Sequence, residues 1–128
     1  MDLKFFKCNV CGQIISIVND TELPVRCCMR DMEELVPNSG EGNTKTHIPI
    51  SAASKNKITV CVGAEDHPMK PEHHIEWVAI LTNKGMQRKR IAEEKRAKVD
   101  FYLEENELVF AIYAYCNIHG LYSNRIMK

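Results

Sequence analysis

At 128 residues, with 45% hydrophobic and 27% charged side chains, the chain fits one ordinary domain, or a small module joined to a domain of about 90 residues; broad disorder is excluded. Its 17 basic residues balance 17 acidic ones, so global charge makes no case for nucleic acid or an anionic membrane surface. The apolar run Leu108 to Tyr115 is only eight residues long, far short of the roughly 20 that span a bilayer.

The chain opens Met1-Asp2-Leu3-Lys4-Phe5-Phe6-Lys7-Cys8. A cysteine arrives before any apolar run long enough for a secretory signal, so a cytoplasmic location is expected. In that compartment cysteines serve as metal ligands or free thiols rather than disulfides. Four of the six fall within the first 28 residues, as Cys8-x-x-Cys11 and Cys27-Cys28. A CxxC turn puts two thiolates on one side of a knuckle, and a second pair completes an S₄ set suited to zinc or iron. Gly12 follows Cys11, where such a knuckle needs positive φ. Adjacent residues of a strand point to opposite sides. Cys27 and Cys28 can therefore share one ion only if the backbone bends sharply between them. Phe5-Phe6-Lys7 and Gln13 to Val18 predict brief strands. Residues 1–36 form a module too short for a core of its own, which needs a metal or a partner chain to fold.

Residues 37–43, Pro37-Asn38-Ser39-Gly40-Glu41-Gly42-Asn43, have linker composition. Residues 44–128 predict mostly β-structure. Ile58, Val60 and Val62 alternate with Thr59 and Cys61. The runs Ile75 to Leu81 and Leu108 to Tyr115 are apolar on both faces, as in central strands covered on two sides. Asn83-Lys84-Gly85 and Glu104-Glu105-Asn106 are turn signals. Ile91 to Lys98 has the composition of a helix or of a charged loop. The whole is expected to be all-β: a small metal-bound antiparallel module followed by an immunoglobulin-like β-sandwich.

Five histidines lie in this second part: His47, His67, His73, His74 and His119. Cys116 precedes His119 by three. Prolines follow closely in His47-Ile48-Pro49 and His67-Pro68-Met69 and stiffen the loops that present these rings. Imidazoles with one thiolate suit iron, copper, zinc or nickel. Of His73 and His74, alternation sends one inward and one outward, so only one is expected to bind.

These motifs, taken together, resemble the desulfoferrodoxins, the two-iron superoxide reductases, nearly end to end. Phe6-Lys7-Cys8-Asn9-Val10-Cys11-Gly12 with Cys27-Cys28 resembles the desulforedoxin module. His47-Ile48-Pro49, Gly63 to Met69, His73-His74-Ile75-Glu76-Trp77 and Cys116-Asn117-Ile118-His119-Gly120 resemble the neelaredoxin-type catalytic domain. The resemblance implies a rubredoxin-like iron on Cys8, Cys11, Cys27 and Cys28, with zinc also possible there. It implies a second iron with His47, His67, His73 and His119 as equatorial ligands and Cys116 as axial thiolate. His74 stands where the family usually has tyrosine and is left outside the site. Cys61 matches no ligand position and is expected in the core.

One departure stands out. The family's Glu-Lys-His is here Lys45-Thr46-His47. Lys45 is therefore the candidate to supply the attracting charge from the neighbouring position, with Lys55 or Lys57 as further rim cations and Glu41 as a displaced carboxylate. The expected reaction is one-electron reduction of superoxide to hydrogen peroxide, with a rubredoxin-like electron donor and a homodimer implied by the resemblance. Loss of the Glu-Lys pair keeps two alternatives open: a non-catalytic iron or zinc protein, or an electron-transfer protein with weakened reductase activity. The basic run Lys84 to Lys98 reads as a protected edge strand, or as a surface that docks an acidic donor.

Overall fold

The computed structural model describes residues 2–92 and 95–126. They divide into two compact units, 1–36 and 37–128. No described helix is long and apolar enough to cross a membrane.

In the first unit, β1 (Phe5–Lys7) pairs antiparallel with β2 (Ile14–Ser16) and with β5 (Glu33–Glu34). A separate hairpin joins β3 (Arg26–Cys27) to β4 (Arg30–Asp31). Its two-residue loop is Cys28-Met29, with φ of 53° and 63°. Positive φ at both loop residues gives the turn whose twist suits a hairpin, although Gly or Asn usually occupies it. This is the sharp bend that the Cys27-Cys28 pair requires. Gly12, at φ 83°, closes the other knuckle.

The second unit is an antiparallel β-sandwich. It opens on a four-residue helix, α1 (Thr44–His47), whose first turn is capped by the Asn43 side chain accepting from Lys45 N–H. Six longer strands and one of five residues follow: β6 (Pro49–Ser54), β7 (Lys57–Val62), β8 (Ile75–Thr82), β9 (Gly85–Arg90), β10 (Lys98–Tyr102), β11 (Val109–Cys116) and β12 (Gly120–Arg125). One sheet has the order β10-β7-β6 and the other β12-β11-β8-β9. Ile58, Val60 and Val62 of β7 and Phe101 of β10 meet Ile75, Val78, Ile80, Ile112, Ala114 and Cys116 in a common core. Each of the valine, isoleucine and phenylalanine side chains among them, fully buried, contributes about 1.5–3 kcal/mol. Strands β8 and β11 are buried on both faces and lie at the centre of their sheet, in line with their unbroken apolar runs. Cys116, at the end of β11, sits on the core face and leads straight into the turn that carries His119.

Residues 37–43, of linker composition, hydrogen-bond to β12: Asn38 N–H donates to Leu121 O, the Asn38 side chain exchanges hydrogen bonds with Ser123, and Gly42 N–H donates to the Tyr122 hydroxyl. Other expectations need correction. Cys61 is half-buried and lies with Thr59 on the face of β7 away from the core, because Val60 and Val62 take the inward positions. The described part of Ile91 to Lys98 is irregular until β10 begins; Glu93 and Glu94 lie outside the described residues. Lys55 and Lys57 sit at the turn end of the β6–β7 hairpin, about 17 Å of strand away from the His47 end. Lys57 is also paired with Asp100 at 3.9 Å. Neither can rim the histidines. Of the basic run, Arg88, Lys89 and Arg90 lie on the edge strand β9.

Candidate metal centres

The thiols of Cys8, Cys11, Cys27 and Cys28 lie within 4.8 Å of one another. Cys11 Sγ is 3.7 Å from Cys27 Sγ, and Cys27 Sγ is 3.9 Å from Cys28 Sγ. A tetrahedral ion with metal–sulfur bonds of about 2.3 Å sets its sulfurs about 3.8 Å apart, so the four thiols are spaced for one closed tetrahedral ion. The amides of Val10 and Cys11 both donate to Cys8 Sγ at 3.4 Å. Those N–H groups, Cys11 first, bring the Cys8 thiol down to about 6. Cys27, hydrogen-bonded to the Cys11 and Cys8 thiols, is pushed up to about 12. The first thiolate forms readily, and the remaining protons leave once a cation neutralises the crowd.

The second cluster collects residues from four places in the sandwich. His47 ends α1, His67 lies in the loop after β7, His73 precedes β8, and Cys116 and His119 flank the β11–β12 turn. The ligand atoms of His47, His67, His73 and Cys116 lie within 4.8 Å of one another. His119 joins through Nδ1, 3.1 Å from His47 Nε2 and 3.8 Å from Cys116 Sγ. The four rings follow one another around a square. Successive centroids, in the order 47, 67, 73, 119, are 4.4, 4.7, 5.1 and 4.9 Å apart, with interplanar angles of 69° to 85°. The diagonal pair His47–His73 is 6.1 Å apart and tilted by only 31°.

Tautomers show what the square is for. A backbone carbonyl only accepts, so His47 Nδ1–H donates to Asn43 O at 2.8 Å and His67 Nδ1–H donates to Pro68 O at 2.6 Å. Both Nε2 atoms then carry bare lone pairs, yet they face each other at 3.0 Å. His73 Nε2 is buried with no hydrogen-bond partner. Bare acceptors aimed at one point repel unless a cation sits between them. With metal–nitrogen bonds of about 2.0–2.1 Å, neighbouring donors are about 3.0 Å apart at right angles and about 3.4 Å apart in a tetrahedron. The observed 3.0 and 3.1 Å fit right angles. Burial lowers the basicity of His47 and His73 and brings His67 to about 4, so these three rings are neutral donors near neutral pH. Cys116 is fully buried; burial raises its thiol, while the His119 N–H at 3.4 Å works the other way.

His74 stays out of the square. Its Nδ1–H donates to Lys70 O at 3.0 Å. Lys45 is exposed on α1, two residues before His47. Thr46 Oγ1 lies 2.9 Å from His47 Nδ1, a contact the sequence did not reveal. Also missed were Gly40, Gly42 and Tyr122. A Cβ on Gly42 would stand 2.7 Å from both His47 Nε2 and the Tyr122 hydroxyl, and one on Gly40 would collide with His119 O. The signal was present as Gly-x-Gly just ahead of a candidate ligand, where close backbone approach competes with the linker reading.

Two family models match the chain: "Desulfoferrodoxin" over residues 39–125 and "Desulfoferrodoxin, N-terminal domain" over residues 2–35. The chain belongs to the desulfoferrodoxin family. A desulfoferrodoxin homolog of Methanothermobacter thermautotrophicus is 33% identical over 93% of this chain and 95% of its own length. A superoxide reductase of Thermococcus kodakarensis is 32% identical over 69% of this chain and 91% of its own. The crystal structure of the superoxide reductase from Treponema pallidum superposes with a TM-score of 0.82 at 28% identity, covering 97% of this chain and 98% of that one. Both clusters lie inside the matched segments, the four thiols in the N-terminal one and the histidine square in the other.

Proposed function

We propose that this desulfoferrodoxin reduces superoxide, taking one electron and two protons to give hydrogen peroxide, at an iron held by His47, His67, His73, His119 and Cys116. A second metal, iron or zinc, is held by Cys8, Cys11, Cys27 and Cys28. The observation that carries the reading is the square of imidazoles with one thiol beside it, since it offers five donors and leaves a sixth direction for a small anion. Iron there supplies the reducing electron and an anion-binding position, with electron density pushed onto it by the thiolate.

The chain's own residues do the rest. The Asn43 and Pro68 carbonyls hold the rings of His47 and His67 with their lone pairs pointing inward. His47 and His67 are buried, whereas His73 and His119 keep part of their surface exposed, so superoxide approaches over the latter pair. Lys45, exposed beside His47, attracts the anion. The exposed apolar side chains of the first unit, Val18, Leu23 and Met29, at 92%, 73% and 90%, support a homodimer in which such modules share a core. Six unpaired cysteines support a reducing, cytoplasmic setting, and a rubredoxin-like carrier restores the spent electron.

The test is anaerobic loading with iron, reduction, and rapid mixing with superoxide. Second-order oxidation of the histidine site with one peroxide per superoxide and no oxygen released is expected. Oxygen release would make the protein a dismutase, and an unreactive site would leave an electron-transfer or storage role. Elemental analysis identifies the metal at the four thiols.

A further inference from the structure

The outer side of β8 and β9 carries a cleft of about 650 Å³. Its charged lining is Arg88 and Arg90 of β9, His74, and one carboxylate, Glu76. Arg88 and Arg90 stand two residues apart and so share a face, opposite Ala79 and Trp77 in the sheet register. Lys89, between them, points the other way and donates to Asp100 O at 2.7 Å. Lys89 thus closes the sheet edge while the two arginines remain exposed. The sequence from Lys84 to Lys98 holds seven basic residues against two acidic ones.

The floor of this cleft is one peptide bond from one of the five donors, and one ring stack and a peptide bond from a second. His74 adjoins His73, and its ring is fixed by Lys70 O while its own N–H donates to Asn117 at 2.8 Å. Trp77 stacks on Tyr115 at 5.4 Å and 10°, and Tyr115 adjoins Cys116. Only 7% of Trp77 is exposed, so the cleft offers no aromatic face for a small planar ligand. Most small-molecule pockets are chiefly apolar. What this one presents is a pair of forked guanidiniums, which match carboxylates.

Resting on the reductase reading, we propose that this cleft is where a small acidic one-electron carrier protein docks to re-reduce the histidine–cysteine site. Carboxylates of the carrier seat on Arg88 and Arg90. One electron leaves the reduced carrier and arrives at the site through the Trp77–Tyr115–Cys116 and His74–His73 connections; no bond forms or breaks, and the carrier departs oxidised by one electron.

The probe is reduced rubredoxin mixed with the oxidised, iron-loaded full chain, in wild type, R88E/R90E and the milder R88Q/R90Q. The expected result is a second-order rate that falls with salt in the wild type, drops about tenfold or more in the charge reversal at low salt, with the salt slope flattened, and is intermediate in the neutral variant. Reduction by dithionite and oxidation by superoxide, neither of which needs the carrier, are read in parallel. An unchanged rubredoxin rate and salt slope would overturn the proposal. So would an equal loss with dithionite, which would mean a damaged metal site, or a change in sedimentation, which would mean that the face joins two copies of this chain. Failure of the reductase reading itself is seen separately, as a wild-type site that rubredoxin reduces but superoxide does not oxidise.

Discussion

The two residues that replace the family's Glu-Lys pair have different surroundings, and each supports its own prediction. Thr46 Oγ1 is 2.9 Å from His47 Nδ1 and 3.1 Å from Asn43 O. Its hydroxyl donates to the carbonyl and shares the imidazole N–H, so Thr46 positions a ligand instead of greeting substrate. Thr46→Val keeps the shape and removes the oxygen. It should speed loss of iron from the histidine site to a chelator by about tenfold and shift the site's midpoint potential, while Thr46→Ser restores both. Equal retention and potential in all three proteins would remove the role. Lys45 has no such contact: its backbone takes part in the cap and in a bond from Glu65 N–H, and its side chain is exposed. Its contribution is charge alone. Lys45→Ala should lower the second-order rate with superoxide at low ionic strength by a few-fold to about tenfold and flatten its salt dependence. Stopped-flow rates over a salt series check this; parallel slopes in mutant and wild type would show the charge to be idle.

At the scale of elements, strand and turn signals succeeded where one physical cause acted alone. Strands β7, β8 and β11 announced themselves because burial on one or both faces dictated their composition, and Asn83-Lys84-Gly85 did turn β8 into β9. Helix α1 was not legible, since four residues are too few for a periodicity. Strand β6 hid because five of its six residues are exposed, whereas the charge of β9 itself marked an edge strand. The nine candidate ligands were legible from spacing and resemblance, while the strap over His47 was not, because glycine serves loose loops and tight contacts equally well. Gly42 tests that distinction. A methyl there meets His47 and Tyr122 at 2.7 Å, so Gly42→Ala should cost about 1–3 kcal/mol of overpacking. It should also displace the His47 ring enough to empty the histidine site of iron. Metal analysis should find the four-thiol site still filled. A variant that folds and holds both metals normally would show the strap to be a plain linker after all.

For the whole molecule, the two clusters impose opposite charge problems on the units that carry them. Beyond the readily formed Cys8 thiolate, the thiol cluster must give up a proton that the fold alone retains, as Cys27, pushed up to about 12, shows. The histidines must stay neutral, and burial, more than any neighbour, keeps them so: His67 falls from 6.5 to about 4, with His47 and His73 moving the same way. The sign for stability follows. Above about pH 6.5 these imidazoles are neutral in folded and unfolded chains alike, and the folded state carries no penalty. As pH falls from 6.5 towards 4, the unfolded chain takes up protons that the folded square resists, and stability is lost. Iron in the square binds only the folded, neutral form and offsets that loss while it remains bound. Denaturation midpoints at pH 7, 6 and 5 should therefore fall steeply for protein lacking metal at the histidine site and far less for iron-loaded protein. His67→Leu, which removes the most depressed of the rings, should flatten the metal-free profile even if it lowers the midpoint at pH 7. If the metal-free profile of the wild type were already flat, or matched that of the loaded protein, the rings of His47, His67 and His73 could not be held neutral by burial around a cation site.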